Sequence, residues 1–212
     1  MAYDIVKLLE PNRVAVLLSE VQRSIIGDMA RRGPLAQAAS DVGVIGNSAR
    51  LAQAARERGA PVVHCLANTA PKRFGANTNA RLFVGATKNA QERPAHDPAG
   101  DAPCPEVWRD GDVVSMRDHG LNPMADSQLD HRLRNRGITT VVVTGVSLNL
   151  AILNLTMDAV NNSYQVVVAR DAVAGFPTEY AGPVMQNTLA YICTLATTDE
   201  IIAAWRKGNA DE

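Results

Sequence analysis

Glu20 lies near the carboxyl end of the apolar segment 13–21, which reads "RVAVLLSEV". A carboxylate with apolar neighbours is partly desolvated, and this environment suits a general acid or a general base. The alternative is an ion pair with Arg23, Arg117 or Arg170 that serves only the fold. The position at a strand end makes Glu20 the first candidate for a catalytic group.

A second group of polar residues, "RDHG", follows the apolar segment 112–116. Within it, His119 precedes Gly120, so its imidazole can approach a substrate closely and activate water. An exposed loop histidine is the alternative interpretation. His64 is flanked by Val63 and Cys65 and fits a buried histidine as well as a functional one. Cys65 itself has the weaker claim to be a nucleophile, because buried thiols are usually inert.

The segment 139–160, "TTVVVTGVSLNLAILNLTMDAV", changes from a buried strand to a helix across Gly-Val-Ser. A helix that begins this way has free N–H groups, which favour an anionic ligand. The turn also offers Ser147 and Asn149. Together with Ala151 in the same helix, and with Gln22 and Arg23, which follow the first strand, these residues are predicted to bind substrate.

Several catalytic motifs are missing. The sequence has no His-x-x-x-His, His-Glu-x-x-His or Cys-x-x-Cys spacing, so we predict no metal site. It also lacks the Gly-Lys-Ser ending of a phosphate-binding loop and the Gly-x-Ser-x-Gly nucleophile elbow. We predict that the protein uses no cofactor.

The composition is that of an ordinary globular protein. The 212 residues, 46% of them hydrophobic, predict a single domain over 1–212. A formal net charge of −1 gives no general attraction to nucleic acid or to a membrane surface. Three widely spaced cysteines and an N-terminus without a long apolar run favour the cytoplasm.

The polar candidates must be positioned by alternating strands and helices. Strands are predicted at 13–21, 60–67, 112–116, 138–145, 164–175 and 193–198. Helices are predicted at 40–59, near 79–86, at 126–137 with a cap at Asp126 or Ser127, at 148–162, at 178–192, and after a cap at Thr198 or Asp199.

This order predicts a doubly wound α/β fold of three layers, with about six mainly parallel strands and helices on both faces. In such a sheet the site lies beyond the carboxyl ends of the strands, near the switch in strand order. The segment 75–86, which begins "GANTNARLF", is either a lid over this site or part of a subunit interface.

From about residue 13 to 205 the chain resembles the isochorismatase-like family of cysteine hydrolases. The anchors are "VAVLLSEVQ", "GAPVVHC", the segment 136–175 and the closing "ATTDEII". The resemblance implies a doubly wound sheet, assembly as a homodimer or homotetramer, a small-molecule substrate, and a cis peptide bond between Val146 and Ser147.

The family's usual reaction uses an aspartate after the first strand, a lysine after the third, and a cysteine one turn into the helix after Gly-Val-X. By resemblance, the aspartate position holds Glu20 and the lysine position falls on Met116, with Arg117 beside it as a substitute cation. The cysteine position falls on Ala151, which cannot form a thioester. The amidase reaction therefore cannot proceed here in its usual form.

Three interpretations of the function remain. Some isochorismatases of the family lack the cysteine and cleave a vinyl ether by protonating carbon. If this protein does the same, Glu20 would be the acid, and Arg117 and Arg170 would bind substrate carboxylates. Alternatively, His119 would activate water. We expect Glu20→Gln to abolish turnover in an enzyme of this kind with little effect on stability.

The remaining reading is a catalytically inactive family member that binds a small molecule or serves as an oligomeric structural protein. An error in the alignment would instead make Cys65 or Ser147 the nucleophile.

Overall fold

Six parallel strands form the centre of the protein, in the spatial order β3-β2-β1-β4-β5-β6. The computed structural model describes residues 4–71, 74–91, 96–125 and 127–208. The strands are β1 (Val14–Ser19), β2 (Val62–Ala67), β3 (Val113–Arg117), β4 (Thr140–Val146), β5 (Gln165–Ala174) and β6 (Thr194–Ala196). The predicted doubly wound α/β fold is confirmed, and the strand order reverses between β1 and β4.

Helices precede, connect and follow these strands. They are α1 (Ile5–Leu8), α2 (Pro34–Val42), α3 (Val44–Glu57), α4 (Arg81–Gln91), α5 (Leu129–Asn135), α6 (Leu153–Asn161), α7 (Ala181–Val184), α8 (Ala190–Ile192) and α9 (Thr198–Lys207). A π-helical turn, Leu148–Ile152, leads into α6, and a second one, Met185–Leu189, joins α7 to α8. No helix in the described part of the chain has the length and apolar character needed to cross a membrane.

The sheet separates two apolar cores. All six residues of β1 are buried, as expected for a strand covered on both faces. Val14, Val16 and Leu18 belong to the core beneath α2, α3 and α9. Ala15 and Leu17 belong to the core beneath α5 and α6. This alternation fixes the strand register, because a slip of one residue would exchange the two faces.

The structure corrects several predicted boundaries. The helix predicted at 40–59 is two helices, separated at Gly43, whose φ of 77° only glycine adopts readily. The cap of α9 is Thr197, whose side chain forms a capping box with Glu200. The caps predicted at Thr198 or Asp199 are therefore wrong by one or two residues.

The cap predicted at Ser127 is also wrong, because the residue that caps α5 is Gln128. Ser127 instead donates its hydroxyl to the carbonyl of Pro123. The other predicted cap, Asp126, lies outside the described residues.

Candidate active site

Glu20 follows the last residue of β1 and adopts a φ of 53°. A glutamate in this left-handed region carries a cost of about 1–3 kcal/mol, so surrounding contacts must hold it there. One of them is the hydrogen bond from the Glu20 amide to the carbonyl of Cys65, at 2.9 Å. The turn therefore directs the carboxylate away from the strand at the carboxyl edge of the sheet.

Arg117, the last residue of β3, donates a hydrogen bond from Nη2 to Oε1 of Glu20. Because β2 lies between β1 and β3, this side chain reaches across a whole strand, and β1 and β3 are two strand spacings apart, about 9.6 Å. The side chains of Arg117 and Glu20 are 7% and 15% exposed. Nη1 of Arg117 is buried and has no hydrogen-bond partner among the described residues.

Met116, the residue that resemblance assigns to the lysine position, is 38% exposed. Successive residues of a strand point to opposite faces, so Met116 and Arg117 do not share a direction. Among the described residues, the cation that pairs with Glu20 is therefore Arg117.

The crossing from β4 into the next helix lies beside Glu20 at the point where strand order reverses. Gly145 pairs with Ser19, and a Cβ atom at Gly145 would lie 1.9 Å from the carbonyl oxygen of Ser19. The hydroxyl of Ser19 donates to the carbonyl of Val146 at 3.2 Å. The Val146–Ser147 peptide bond is cis, as the resemblance implied.

Ser147 is the N-cap residue of the π-helical turn Leu148–Ile152. Its carbonyl accepts hydrogen bonds from the amides of Leu150 and Ile152, both at 3.1 Å. Asn149 donates from Nδ2 to the carbonyl of Phe176 at 3.1 Å, whereas its Oδ1 is buried without a partner among the described residues. Ala151 is buried in the same turn.

Gln22 and Arg23, which the sequence predicts to bind substrate, both make contacts within the protein. Gln22 is fully buried, and its amide bonds both backbone groups of Ala67, with Nε2 to the carbonyl at 2.8 Å and Oε1 to the amide at 3.0 Å. Arg23 makes a two-pronged ion pair with Asp28, at 2.9 Å and 2.6 Å. These contacts fix the turn after β1, and a substrate contact for either residue stays a prediction.

His119 lies on the exposed turn two residues beyond Arg117, and its catalytic role stays a prediction. Arg170 lies within 3.7 Å of Glu200 on α9, and both side chains are about half exposed. Cys65 is fully buried, and burial raises the pKa of its thiol to about 12 despite the nearby Arg117 guanidinium. A thiol in this state does not act as a nucleophile near neutral pH.

Sequence reasoning missed Asp101, which supports the same edge of the sheet. Its Oδ1 accepts hydrogen bonds from the amide and the hydroxyl of Thr69, at 3.2 Å and 2.5 Å, and from Nε2 of Gln22 at 3.4 Å. Asp101 lies in "PAGDAPC", inside a segment predicted to be mostly loop. No sequence pattern predicts that Asp101 contacts Gln22, which lies 79 positions earlier in the chain.

The segment 75–86 contacts the turn after β3 through Asn77, whose Oδ1 accepts a 2.6 Å hydrogen bond from the amide of Gly120. The helix that follows, α4, is largely exposed. The contact is compatible with both a lid and an interface. No group of three or more His, Cys, Asp or Glu side chains among the described residues is arranged to hold a metal ion.

A family model for the isochorismatase domain matches residues 14–200. The phenazine biosynthesis protein PhzD of Pseudomonas fluorescens is 26% identical over 196 residues, which cover 92% of this chain and 87% of that protein. A probable isochorismatase of Pseudomonas chlororaphis is 25% identical over 196 residues, with the same coverage.

Solved structures agree with the fold. An isochorismatase family protein from Burkholderia thailandensis has a TM-score of 0.75 and 27% identity, covering 93% of this chain and 97% of that one. A cysteine hydrolase from Pseudomonas syringae pv. phaseolicola 1448A has a TM-score of 0.76 at 20% identity, covering 98% of this chain and 100% of that one. The second likeness concerns the fold alone.

Proposed function

Because this chain belongs to the isochorismatase family, we propose that it hydrolyses a small enol ether that carries a carboxylate, with Glu20 as the general acid. The observation that carries the proposal is the Glu20–Arg117 ion pair at the carboxyl edge of the sheet. It places a carboxyl group that can exchange a proton beside a cation, at the point where α/β sheets of this kind bind ligands.

The reaction needs no nucleophilic side chain. Glu20 would donate its proton to the terminal carbon of the enol, leaving a cation that the ether oxygen stabilises. Water would add to this cation, and the resulting hemiketal would expel the alcohol to give a 2-oxo acid. The proton lost by water would return to the Glu20 carboxylate, so the acid is regenerated.

The surroundings of Glu20 favour this chemistry over attack by a thiolate. We propose that Ala151 stands where a cysteine hydrolase of the family has its nucleophile. Cys65, the cysteine on which Arg117 and Glu20 act electrostatically, is buried, and its pKa is raised to about 12. The name of one relative, a probable isochorismatase, agrees with an enol-ether substrate for that relative.

Arg117 would have two tasks in this mechanism. Its Nη2 holds the Glu20 carboxyl group in position. Its second terminal nitrogen, Nη1, is buried without a partner among the described residues and is a ready donor for a substrate carboxylate once the site is occupied. An anionic substrate would therefore bind next to the acid that protonates it.

An assay for 2-oxo acid release from carboxylated enol ethers tests the proposal. We expect turnover by the wild-type protein and a loss of about 10²- to 10⁴-fold in kcat for Glu20→Gln, the usual contribution of a general acid. Glu10→Gln is the matched control, because Glu10 is an exposed carboxylate paired with Arg13. Equal turnover by wild type and Glu20→Gln would overturn the proposal.

A second function, ligand binding without catalysis, is favoured by Ala151, whose buried methyl group stands where, by resemblance, the family has its nucleophile. In that case no amide, carboxylate or enol ether would be turned over. A ligand would still raise the melting temperature.

We also propose that the protein assembles as a homodimer or homotetramer. Apolar side chains are exposed on α4, at Leu82 and Val84, and on the edge strand β3, at Val113 and Val114. Sedimentation equilibrium tests the assembly, and a monomer at micromolar concentration would contradict it.

The cytoplasm is the proposed compartment. Cys65, Cys104 and Cys193 are all free thiols, as expected under reducing conditions. Fractionation of the source cells tests this location, and recovery outside the cytoplasm would contradict it.

A further inference from the structure

A buried charged cluster lies away from the Glu20 site, between β2, α3 and the turn before β3. His64 of β2 is fully buried, and its Nε2 lies 2.8 Å from Oδ2 of Asp112. Arg56 of α3 bonds the same carboxylate through Nε at 2.9 Å and Nη2 at 2.6 Å. The ring of Trp108 packs against His64 with centroids 5.3 Å apart.

The hydrogen bonds of the cluster fix the protonation state of His64. The Asp112 carboxylate also accepts the amide of Arg109 at 3.1 Å, so it acts as an acceptor throughout. The Nε2 atom of His64 must then carry the proton and donate it to Asp112. The other ring nitrogen, Nδ1, is buried and has no partner among the described residues, which is compatible only with the neutral ring.

Protonation of His64 at Nδ1 would bury a charged N–H without an acceptor. The strand neighbours of His64 are Leu18 and Val114, which carry no charge. Within the described residues, the charged groups that act on His64 are Asp112 and Arg56. Asp112 is already neutralised by Arg56, so it cannot fully compensate a second positive charge.

The direction of the pKa changes agrees with this geometry. Burial lowers the pKa of His64, and this effect outweighs the bond to Asp112. Stability from neutral His64 is therefore complete above its unfolded pKa of about 6.5 and is lost as the pH falls through the lower folded value. For Asp112, burial opposes the hydrogen bonds from Arg56 and His64, but these prevail and keep its pKa below 3.8.

The two sides of the cluster differ in how easily they can move. His64 belongs to β2, which is paired on both sides, with β1 and with β3. The segment 108–112 is exposed or half-buried and is attached through Asp112 and Trp108. Before it, Cys104 and Val107 are buried in the core, and Arg56 bonds the carbonyl of Val107 at 2.6 Å. Segment 108–112 leads directly into β3, which lies at the edge of the sheet. Segment 108–112 is therefore the part that detaches when His64 takes up a proton.

We propose that His64, Asp112 and Arg56 form an acid-sensitive latch that holds segment 108–112 and the edge strand β3 against the sheet. At neutral pH the latch is closed. When His64 takes up one proton, segment 108–112 detaches before the core unfolds. The ionised imidazole is stable only in contact with water, and water reaches it only after this segment has moved away. The inference is independent of the proposed function, since none of the three residues contacts Glu20 or Arg117 in the hydrogen bonds described.

Amide hydrogen exchange of the intact protein between pH 7.5 and 5.0, corrected for the intrinsic effect of pH, tests the latch. In the wild type, we expect the opening equilibrium for 108–117 to rise by up to about tenfold per pH unit below about 6.5, the limit for one proton. Protection elsewhere in the sheet should remain constant. Exchange that is independent of pH, or that increases equally in all strands, would overturn the proposal.

Two variants identify the responsible group. His64→Gln keeps an N–H donor for Asp112 but does not titrate, so exchange in 108–117 should lose its dependence on pH. His131→Gln is the matched control, because His131 is exposed on α5, and it should behave as the wild type. An unchanged pH dependence in His64→Gln would overturn the proposal. Should that variant not fold, the wild-type exchange map decides by whether acid acts on 108–117 alone.

Discussion

Arg117 bonds Glu20 across the intervening strand β2, although the two residues are 97 positions apart in the sequence. The pair connects β1 with the edge strand β3 at the carboxyl edge of the sheet. It combines the proposed acid with its positioning cation. Both charges are largely removed from water, so each depends on the other for stability as well as for function.

The first prediction concerns this dependence. Glu20→Gln leaves Arg117 charged, largely buried and without its ionic partner, so we expect a loss of up to about 3 kcal/mol in the free energy of unfolding. This revises the sequence-based expectation of little change. Arg117→Met should have a similar cost, whereas the double variant should recover most of it, because neither charge remains. Urea unfolding at pH 7 measures the three values, and additive losses to within about 0.5 kcal/mol would contradict the coupling.

The second prediction separates the proposed mechanism from thiol chemistry. Cys65 is fully buried and its pKa is raised to about 12, so iodoacetamide at pH 8 should leave turnover unchanged. Cys65→Ala should retain turnover while losing some stability, because removal of the buried sulfur leaves a small cavity. Inactivation by alkylation at Cys65, followed by mass spectrometry of the modified peptide, would instead identify a cysteine hydrolase.

The third prediction concerns the close approach of β1 and β4. Gly145→Ala places a methyl group 1.9 Å from the carbonyl of Ser19 at a backbone φ of 108°, so we expect a loss of more than about 3 kcal/mol or failure to fold. Gly46→Ala in α3 is the control, since no described heavy atom lies within 4 Å of the added carbon. It should raise stability by about 0.5–1 kcal/mol. Melting temperatures compare the two, and equal effects would contradict this account of the strand crossing.

The fourth prediction is an alkaline transition at Tyr164. Burial, with a hydrogen bond to Asp130 at 3.0 Å, raises the pKa of the phenol to about 12. Because the folded value exceeds the unfolded value of about 10, this stability is complete below pH 10 and is lost as the pH rises toward 12. The urea midpoint should therefore change less between pH 9 and pH 11.5 in Tyr164→Phe than in the wild type. The same divergence in both proteins would contradict the assignment.

The sequence predicts the sheet well because its strands are short apolar segments that are buried on both faces, as β1 and β4 illustrate. It also places Glu20 at a strand end. It does not select Arg117 over Arg23 and Arg170 as the partner, because that choice depends on strand order and on which face each side chain takes. Gln22 illustrates the same limit, since no sequence pattern predicts the bond from its side-chain amide to the carbonyl of Ala67 on β2.

His64 shows what composition and neighbours can predict. The neighbours Val63 and Cys65 fit a buried histidine, and the structure buries the side chain of His64 fully. The partners that satisfy it could not be predicted, because Asp112 lies 48 residues away in a loop and Arg56 lies on a helix. Contacts of this kind arise from packing across elements, and they leave no periodic signal in the sequence.

The origin of the atoms in the products tests the central claim most directly. The wild-type protein should convert a carboxylated enol ether in D₂¹⁸O to a 2-oxo acid with one deuterium on the former terminal carbon and to an alcohol without ¹⁸O. Glu20→Gln should form these products about 10²- to 10⁴-fold more slowly. An alcohol that contains ¹⁸O, or a rate unaffected by Glu20→Gln, would contradict carbon protonation by Glu20.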